Sequence, residues 1–193
     1  MPQQPFDIFN QWYNEAEKAG VVEPFAFVLS TVSPQGEPRS RVVLWRRLVK
    51  NVFYFFTNYS SDKGRELQEA QCAAMNFHWR HPYHRQVRIQ GRVKKASAEI
   101  SNEYFSTRPR GSQIGAWASP QSRPISGREE LESLVSSFED QFKGQEVPRP
   151  EFWGGFGIEP TYFEFWQEGE SRLHTRLVFE QDQGHWVQKT IAP

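Results

Sequence analysis

The sequence predicts an α+β fold built on a mostly antiparallel, barrel-like sheet with helices at its periphery. Three observations carry this. Strand-type segments follow one another through short turns instead of alternating one by one with helices, the order that would signal a parallel sheet. Helical spacing is confined to a first segment, one short insertion and a middle block. The last third returns to strand patterning around Glu168-Gly169-Glu170, a hairpin-type turn. The 193 residues suit one domain spanning residues 1–193, and neither a linker nor an internal repeat divides them.

Each element follows from local pattern. Phe9, Trp12, Tyr13 and Ala16 fall at i, i+3, i+4 and i+7, an amphipathic helix that Gly20 is placed to close. Residues 26–31 form a short apolar strand, Ser33-Pro34-Gln35-Gly36 a turn, and residues 39–45 the returning strand. Residues 52–57 (VFYFFT) are dense in strand formers. A short helix starts near Ser61 and runs through Arg65, Glu66 and Leu67, and residues 73–79 give another strand. Over residues 85–95, Val87 and Ile89 face one side while Gln86, Arg88 and Gln90 face the other, the pattern of a half-buried strand with a polar or ligand-facing side. Ser97 caps a helix through Phe105. Ser126-Gly127-Arg128-Glu129 has the capping-box form, and Leu131, Leu134, Val135, Phe138 and Phe142 continue at helical spacing towards Gly144. Pro148 and Pro150 then force an extended stretch. Strands over residues 162–167 and 172–180 flank the hairpin turn, and a last short strand lies near residues 186–189.

Composition narrows the function. Lys+Arg and Asp+Glu are each 23, so the formal net charge is zero, which argues against adhesion to nucleic acid or an anionic membrane by bulk charge. No apolar run approaches the ~18 residues of a transmembrane helix. Met1-Pro2-Gln3-Gln4-Pro5-Phe6-Asp7 lacks the basic and apolar regions of a secretory signal. Cys72 is the only cysteine, so neither an internal disulfide nor a cysteine-rich zinc site is expected. These features together point to the cytoplasm. His78, His81 and His84 recur at a spacing of three, but on a strand end and turn, so no metal site is expected there. Aromatic residues make up 15% of the chain, a composition suited to flat ligands or subunit interfaces.

Four basic patterns are candidates for chemistry. In Arg172-Leu173-His174-Thr175-Arg176, strand alternation would point Arg172, His174 and Arg176 the same way, towards an anion. The alternative is a solvated edge whose arginines pair with Glu168 or Glu170. Thr107-Arg108-Pro109-Arg110-Gly111-Ser112 sets two arginines beside a helix start, as proteins hold phosphate or carboxylate, or else is a polar loop. Ser40-Arg41-Val42-Val43-Leu44-Trp45-Arg46-Arg47 brackets an apolar run with bases, which a buried strand with snorkelling arginines would also do. Thr57-Asn58-Tyr59-Ser60-Ser61-Asp62-Lys63-Gly64 puts hydroxyls and a lysine at a strand-to-helix junction, or simply caps the helix through Ser61 or Asp62. Jointly the four suit a flat, phosphorylated small molecule better than a polymer.

The same residues carry a family resemblance. Arg85-Gln86-Val87-Arg88, Tyr104-Phe105-Ser106-Thr107-Arg108-Pro109, Ser112-Gln113-Ile114-Gly115-Ala116, Gln121-Ser122, Trp153-Gly154-Gly155, Glu164-Phe165-Trp166-Gln167, Arg172-Leu173-His174 and Ala192-Pro193 occur in one order. In these the chain resembles the pyridoxamine (pyridoxine) 5′-phosphate oxidase family, from about Phe9 to Pro193. The resemblance implies a homodimer of FMN-binding split β-barrels in which each site uses both subunits and residues 150–193 complete dimer and site. It implies oxidation of pyridoxine or pyridoxamine 5′-phosphate to pyridoxal 5′-phosphate in vitamin B6 salvage. A hydride equivalent passes from C4′ to flavin N5, and dioxygen reoxidises the flavin to give hydrogen peroxide. The implied FMN residues are Arg41, Val42, Val43, Leu44, Phe56, Thr57, Lys63, Gln86, Gln121, Ser122, Trp166 and Arg176, with Arg41 and Lys63 at the phosphate. The implied substrate residues are Arg46, Tyr104, Arg108 and Ser112 at the substrate phosphate, with Arg172 and His174 holding the pyridine ring as the catalytic pair.

Three positions depart from the family pattern. Arg46 stands for a usual lysine, Asp62 for an arginine that joins Lys63 at the FMN phosphate, and Thr175 for a usual acid. A longer N-terminal arm that covers the site in some members is not expected here. The departures keep two alternatives in view: a related split-barrel flavin oxidase of another substrate, such as a phenazine precursor, and a non-catalytic carrier of FMN or pyridoxal phosphate.

Overall fold

In the computed structural model, which describes residues 4–193, the chain opens with helix α1 (Pro5–Lys18) and continues into strands β1 (Ala26–Val32), β2 (Pro38–Leu44), β3 (Arg47–Val49) and β4 (Val52–Asn58). Helix α2 (Asp62–Ala70) separates these from β5 (Cys72–Trp79) and β6 (Arg85–Lys95). Helices α3 (Ala98–Ser106), α4 (Arg110–Ala118) and α5 (Arg128–Gln141) form the middle block, and β7 (Trp153–Gln167), β8 (Thr175–Asp182) and β9 (His185–Thr190) close the chain. Residues 1–3, where the search for a secretory signal starts, lie outside the described residues.

The strands pair antiparallel throughout the described sheet, in the order β2-β1-β5-β6-β7-β4-β3, with β8 on β7 and β9 on β8. Strand β7, 15 residues long, organises the fold. Its first half pairs with β4 from Trp153 to Ile158, its second half pairs with β8 from Tyr162 to Gln167, and β6 runs along its other edge. Opposite Gln90/Gly91 of β6 the register shifts and leaves Thr161 of β7 unpaired, a bulge placed where β7 changes partner. The outcome is an open split β-barrel with helices outside it, as the α+β expectation required.

Period-two burial explains the core. Phe53 and Phe55 of β4, Phe77 and Trp79 of β5, Val87 and Ile89 of β6, and Phe163 and Phe165 of β7 are all buried on one side of the sheet. Helix α1 lays Ile8, Phe9 and Ala16 over this side, and the Phe9 ring meets those of Phe53 and Phe77 edge-on, with centroids 4.9 and 5.3 Å away. Each such phenyl ring contributes about 1.5–3 kcal/mol by leaving water. Much of the aromatic content that suggested ligands and interfaces therefore fills the interior. A smaller cluster of Phe105, Ile114, Phe142, Val147 and Trp153 fastens the helical block to the start of β7.

Several local expectations need correction. The three-residue strand β3 went unrecognised, because Arg47-Leu48-Val49 is too short to show alternation. The capping box is displaced by one position: α5 has Gly127 as its N-cap, and Glu130, not Glu129, accepts from the Ser126 backbone N–H at 2.6 Å and hydroxyl at 2.7 Å. The tight hairpin at Glu168-Gly169-Glu170 is a longer connection, residues 168–174, containing a 3₁₀ turn at Glu170–Arg172. Ser171 and Arg172 there adopt φ of +54° and +65°, so the backbone leaves the strand conformation and β8 begins only at Thr175.

Candidate active site

Strands β2 and β4 and the α3–α4 turn enclose a cavity of about 480 Å³. Val42, Val43 and Leu44 line it from β2, Phe56 and Thr57 from β4, and Tyr104, Arg108 and Ser112 from the helical side, with Arg46 and Gln121 completing it. Phe56 projects into this space because the facing β7 residue is Gly155, where an added Cβ would lie 2.9 Å from the Phe56 ring. The Phe56 ring stacks on Tyr104 at 3.9 Å, and Trp153 continues the stack at 5.7 Å from Phe56.

Arg108 is the most informative side chain of the cavity. Its guanidinium lies over Trp153, 4.6 Å from the ring centroid, and its buried NH1 has no hydrogen-bond partner. Burial pulls its pKa below the ordinary arginine value, and the neighbouring Arg46 charge adds to this. A buried, unpaired guanidinium donor beside a second arginine has the chemistry to accept an anion. Arg110, the other arginine of this turn, is structural: it donates to the carbonyls of Phe142 and Gln145 at 2.7 and 2.9 Å and so ties α4 to the end of α5.

Next to the cavity, the first turn of α2 meets β2 in a second cationic corner. Ser61 caps α2 by accepting from Gly64 N–H at 3.3 Å. Lys63 Nζ is held by neutral oxygens only, those of Thr57 (3.2 Å), Ser61 (3.3 Å) and Gln121 (3.3 Å), and burial together with the Arg41 charge lowers its pKa. Arg41 does not snorkel outwards. It donates to Thr31 and, at 3.0 Å, to Glu66, a carboxylate only 2% exposed. Burial raises the Glu66 pKa, but the Thr31 hydrogen bond and the two arginines outweigh it and hold the group below the ordinary value. Ser122, at φ +64°, accepts from the Asp62 N–H at 3.1 Å, while the Asp62 carboxylate turns to Arg65. Arg47, last of the basic run and first residue of β3, turns to Glu103 at 3.0 Å and joins neither site.

The remaining expected residues gather elsewhere. Gln86, Trp166 and Arg176 stand in one cross-strand row, since Gln86 pairs with Trp166 across β6–β7 and Trp166 with Arg176 across β7–β8. His174 packs its ring on Trp166 at 4.6 Å. Arg172 and His174 line a shallow pocket with His84 and Glu168, and none of these five expected residues lines the 480 Å³ cavity. The one-face arrangement of Arg172, His174 and Arg176 is not what forms: only Arg176 lies in β8, and the left-handed turn at Ser171-Arg172 breaks the alternation. Nor do the arginines pair with Glu168 or Glu170. Arg176 donates to buried Glu164 at 2.8 Å, which Arg88 also reaches at 2.9 Å, and Glu168 pairs with His84 at 3.0 Å. Glu164 and Glu66, the buried acids behind the basic groups, escaped sequence reasoning; their only signal is position, i+3 from Lys63 for Glu66 and i−2 from Trp166 for Glu164.

Among the described residues no three or more of His, Cys, Asp and Glu stand together as a metal site, and no helix is long and apolar enough to cross a membrane.

The family description "Pyridoxamine 5′-phosphate oxidase" matches residues 13–142, and "Pyridoxine 5′-phosphate oxidase C-terminal dimerisation region" matches residues 153–193. A pyridoxine/pyridoxamine 5′-phosphate oxidase of Pseudomonas putida is 48% identical over 194 residues, covering 100% of this chain and 90% of the relative. One of Leptospira biflexa is 43% identical over 189 residues, 98% of this chain and 89% of the relative. Among solved structures, PhzG from Burkholderia lata 383, in complex with tetrahydrophenazine-1-carboxylic acid, superposes with a TM-score of 0.93 at 30% identity, covering 100% of this chain and 94% of that one. A Nostoc punctiforme protein described as pyridoxamine 5′-phosphate oxidase-related and FMN-binding shares the fold, with a TM-score of 0.77 at 16% identity over 100% of this chain and 99% of that one.

Proposed function

Because this chain belongs to the pyridoxamine 5′-phosphate oxidase family, we propose that it oxidises pyridoxine or pyridoxamine 5′-phosphate at C4′ to pyridoxal 5′-phosphate, with dioxygen as the final acceptor and hydrogen peroxide as the by-product. The carrying observation is the buried, unpartnered NH1 of Arg108 in a cavity that also holds Arg46, Tyr104 and Ser112. A phosphate of about −1.5 to −2 charge supplies the acceptors this donor lacks. A substrate with no anionic group at this end would leave it unsatisfied, a cost of roughly 1–3 kcal/mol.

The residues present also fit FMN. Its phosphate suits the corner where Arg41 and Lys63 meet at the start of α2, with Thr57, Gln121 and Ser122 adding polar contacts. The edge of β2 at Val42, Val43 and Leu44, next to Phe56, offers backbone groups and a flat wall to the ring system. When bound, FMN accepts the hydride equivalent from C4′ and passes the electrons to dioxygen.

The protein's own part is binding and orientation. Arg46, Tyr104, Arg108 and Ser112 hold the substrate phosphate and so fix the distance between C4′ and the cavity wall. Gly169 N–H donates to His174 Nδ1 at 3.2 Å, which leaves Nε2 as the ring nitrogen available to a ligand. With Arg172, that nitrogen would hold the pyridine ring over the flavin. Gln86, Trp166, Arg172, His174 and Arg176 stand apart from the cavity of their own protomer, and residues 153–193 match a dimerisation region. A homodimer would bring this set to the cavity of the partner copy and shut water out of the site.

The visible spectrum of the purified protein tests this. A yellow protein that bleaches on anaerobic addition of pyridoxine 5′-phosphate, and releases peroxide when air is admitted, is expected. A yellow protein that neither bleaches nor makes peroxide would leave only a flavin carrier, and a colourless protein that does not bind added FMN would remove the reading.

A further inference from the structure

The corner assigned to the FMN phosphate holds more acid than an anion site should. Glu37, Asp62 and Glu66 stand among Arg39, Arg41, Lys63 and Arg65. Buried Glu66 divides its oxygens between two guanidinium groups: Oε2 accepts from Arg41 at 3.0 Å and Oε1 from Arg39 at 3.2 Å. Arg39 and Arg41 share one face of β2 by strand alternation, so this single carboxylate sets the two groups side by side. Arg39 NH1 also lies 3.9 Å from Asp62 Oδ2, and its NH2 donates to Glu37 at 3.2 Å.

Charge counting shows what Arg39 does. Four cations face three carboxylates, a surplus of one positive charge for a phosphate of about −1.5 to −2. Without Arg39 the count is three against three, and Arg65 is the one guanidinium left paired with Asp62. Asp62 is also the position where the family resemblance leads one to expect an arginine. The cation missing from the helix is thus present on the neighbouring strand, two residues before Arg41.

We propose that Arg39 is an additional anion-holding residue of this corner, neutralising Asp62 and keeping the phosphate position cationic. The proposal rests on the reading of the corner as the FMN phosphate site. Its test is flavin binding rather than turnover. The apoprotein is titrated with FMN and, separately, with riboflavin, which lacks the phosphate, and flavin fluorescence quenching is followed at constant ionic strength. Arg39→Gln is expected to weaken FMN binding about tenfold and to leave riboflavin binding unchanged, while Arg39→Lys keeps most of the affinity. Adding Asp62→Asn to Arg39→Gln is expected to restore at least threefold. FMN affinity of Arg39→Gln within twofold of the unaltered protein would overturn the proposal. So would an equal loss for riboflavin, which marks a structural role, or the absence of recovery with Asp62→Asn. If the unaltered protein does not prefer FMN to riboflavin, the phosphate-site reading itself falls, and the proposal with it.

Discussion

The corner between β2 and α2 and the connection between β7 and β8 are both basic, yet they are built in opposite ways. At the corner the arginines are fixed from behind by a buried carboxylate, Lys63 is held by three neutral oxygens, and a capped helix supplies the frame. At the connection, Arg172 sits in a left-handed turn, Leu173 is 73% exposed, and few bonds hold the segment: His84 to Glu168, Glu168 N–H to the His84 carbonyl at 3.1 Å, Leu173 N–H to the Glu170 carbonyl at 2.9 Å, and Gly169 N–H to His174. The difference teaches a division of labour. On the proposed function, one protomer would preorganise the groups for the cofactor, whereas exposed Arg172 and half-buried His174 would wait for a second protomer to cover them.

The largest effect expected on this contrast is at the cavity. Arg108→Ala should raise KM for pyridoxine 5′-phosphate about 30-fold or more with kcat changed only a few-fold, because the contact exists in ground and transition states alike. Steady-state kinetics check this, and a fall in kcat at unchanged KM would contradict it. Gly169→Ala comes next. Its Cβ would lie 2.1 Å from the Leu173 carbonyl oxygen, so the turn carrying His174 must shift. Roughly a tenfold loss of kcat at unaltered FMN affinity is expected; a parallel loss of FMN binding would mean that the two regions are not independent.

A smaller effect concerns stability. For Glu164, burial raises the pKa, but hydrogen bonds from Arg176 and Tyr162 and the charges of Arg88 and Arg176 hold it below its ordinary value, as Glu66 is held. A lowered carboxylate pKa means that the unfolded chain binds more protons, so stability rises with pH through this range. The contribution is therefore complete above the ordinary value of 4.5 and is lost as pH falls through the lowered value. Thermal unfolding followed from pH 7 downwards should show the midpoint dropping below about pH 4.5, with a flatter profile for Glu164→Gln. The smallest effect is at the exposed pair His84–Glu168. Glu168→Ala should cost kcat/KM about two- to fivefold, the scale of an exposed polar pair, and leave stability nearly unchanged.

Much of the fold was legible because the core obeys simple periods. The alternation in β4, β5 and β6 and the 3.6-residue spacing of α1 each mark a face that ends up buried. The basic character of the Arg108 turn and of the Ser61–Lys63 helix start was legible too, since a helix start beside basic residues is a local pattern. The connection at residues 168–174 was not, because its course depends on the contact of Glu168 with His84, 84 positions earlier in the chain, and on two residues at positive φ that no local pattern requires. The displaced cap of α5 failed for a lesser reason: Ser126 lies one residue before the N-cap, and it is Glu130 that comes within reach of it.

By itself the sequence determined which residues are available, which segments become strands and helices, and where cations outnumber acids along the chain, because these depend on neighbours within a few positions. Only the tertiary structure decided which charges meet. Glu66 stands behind Arg41 and Arg39, Arg108 keeps an unpaired buried nitrogen, and the row Gln86–Trp166–Arg176 lies away from the cavity of its own protomer. Electrostatic and hydrogen-bond energies act through space over a few ångströms, and residues that far apart in the fold are dozens of positions apart in the chain.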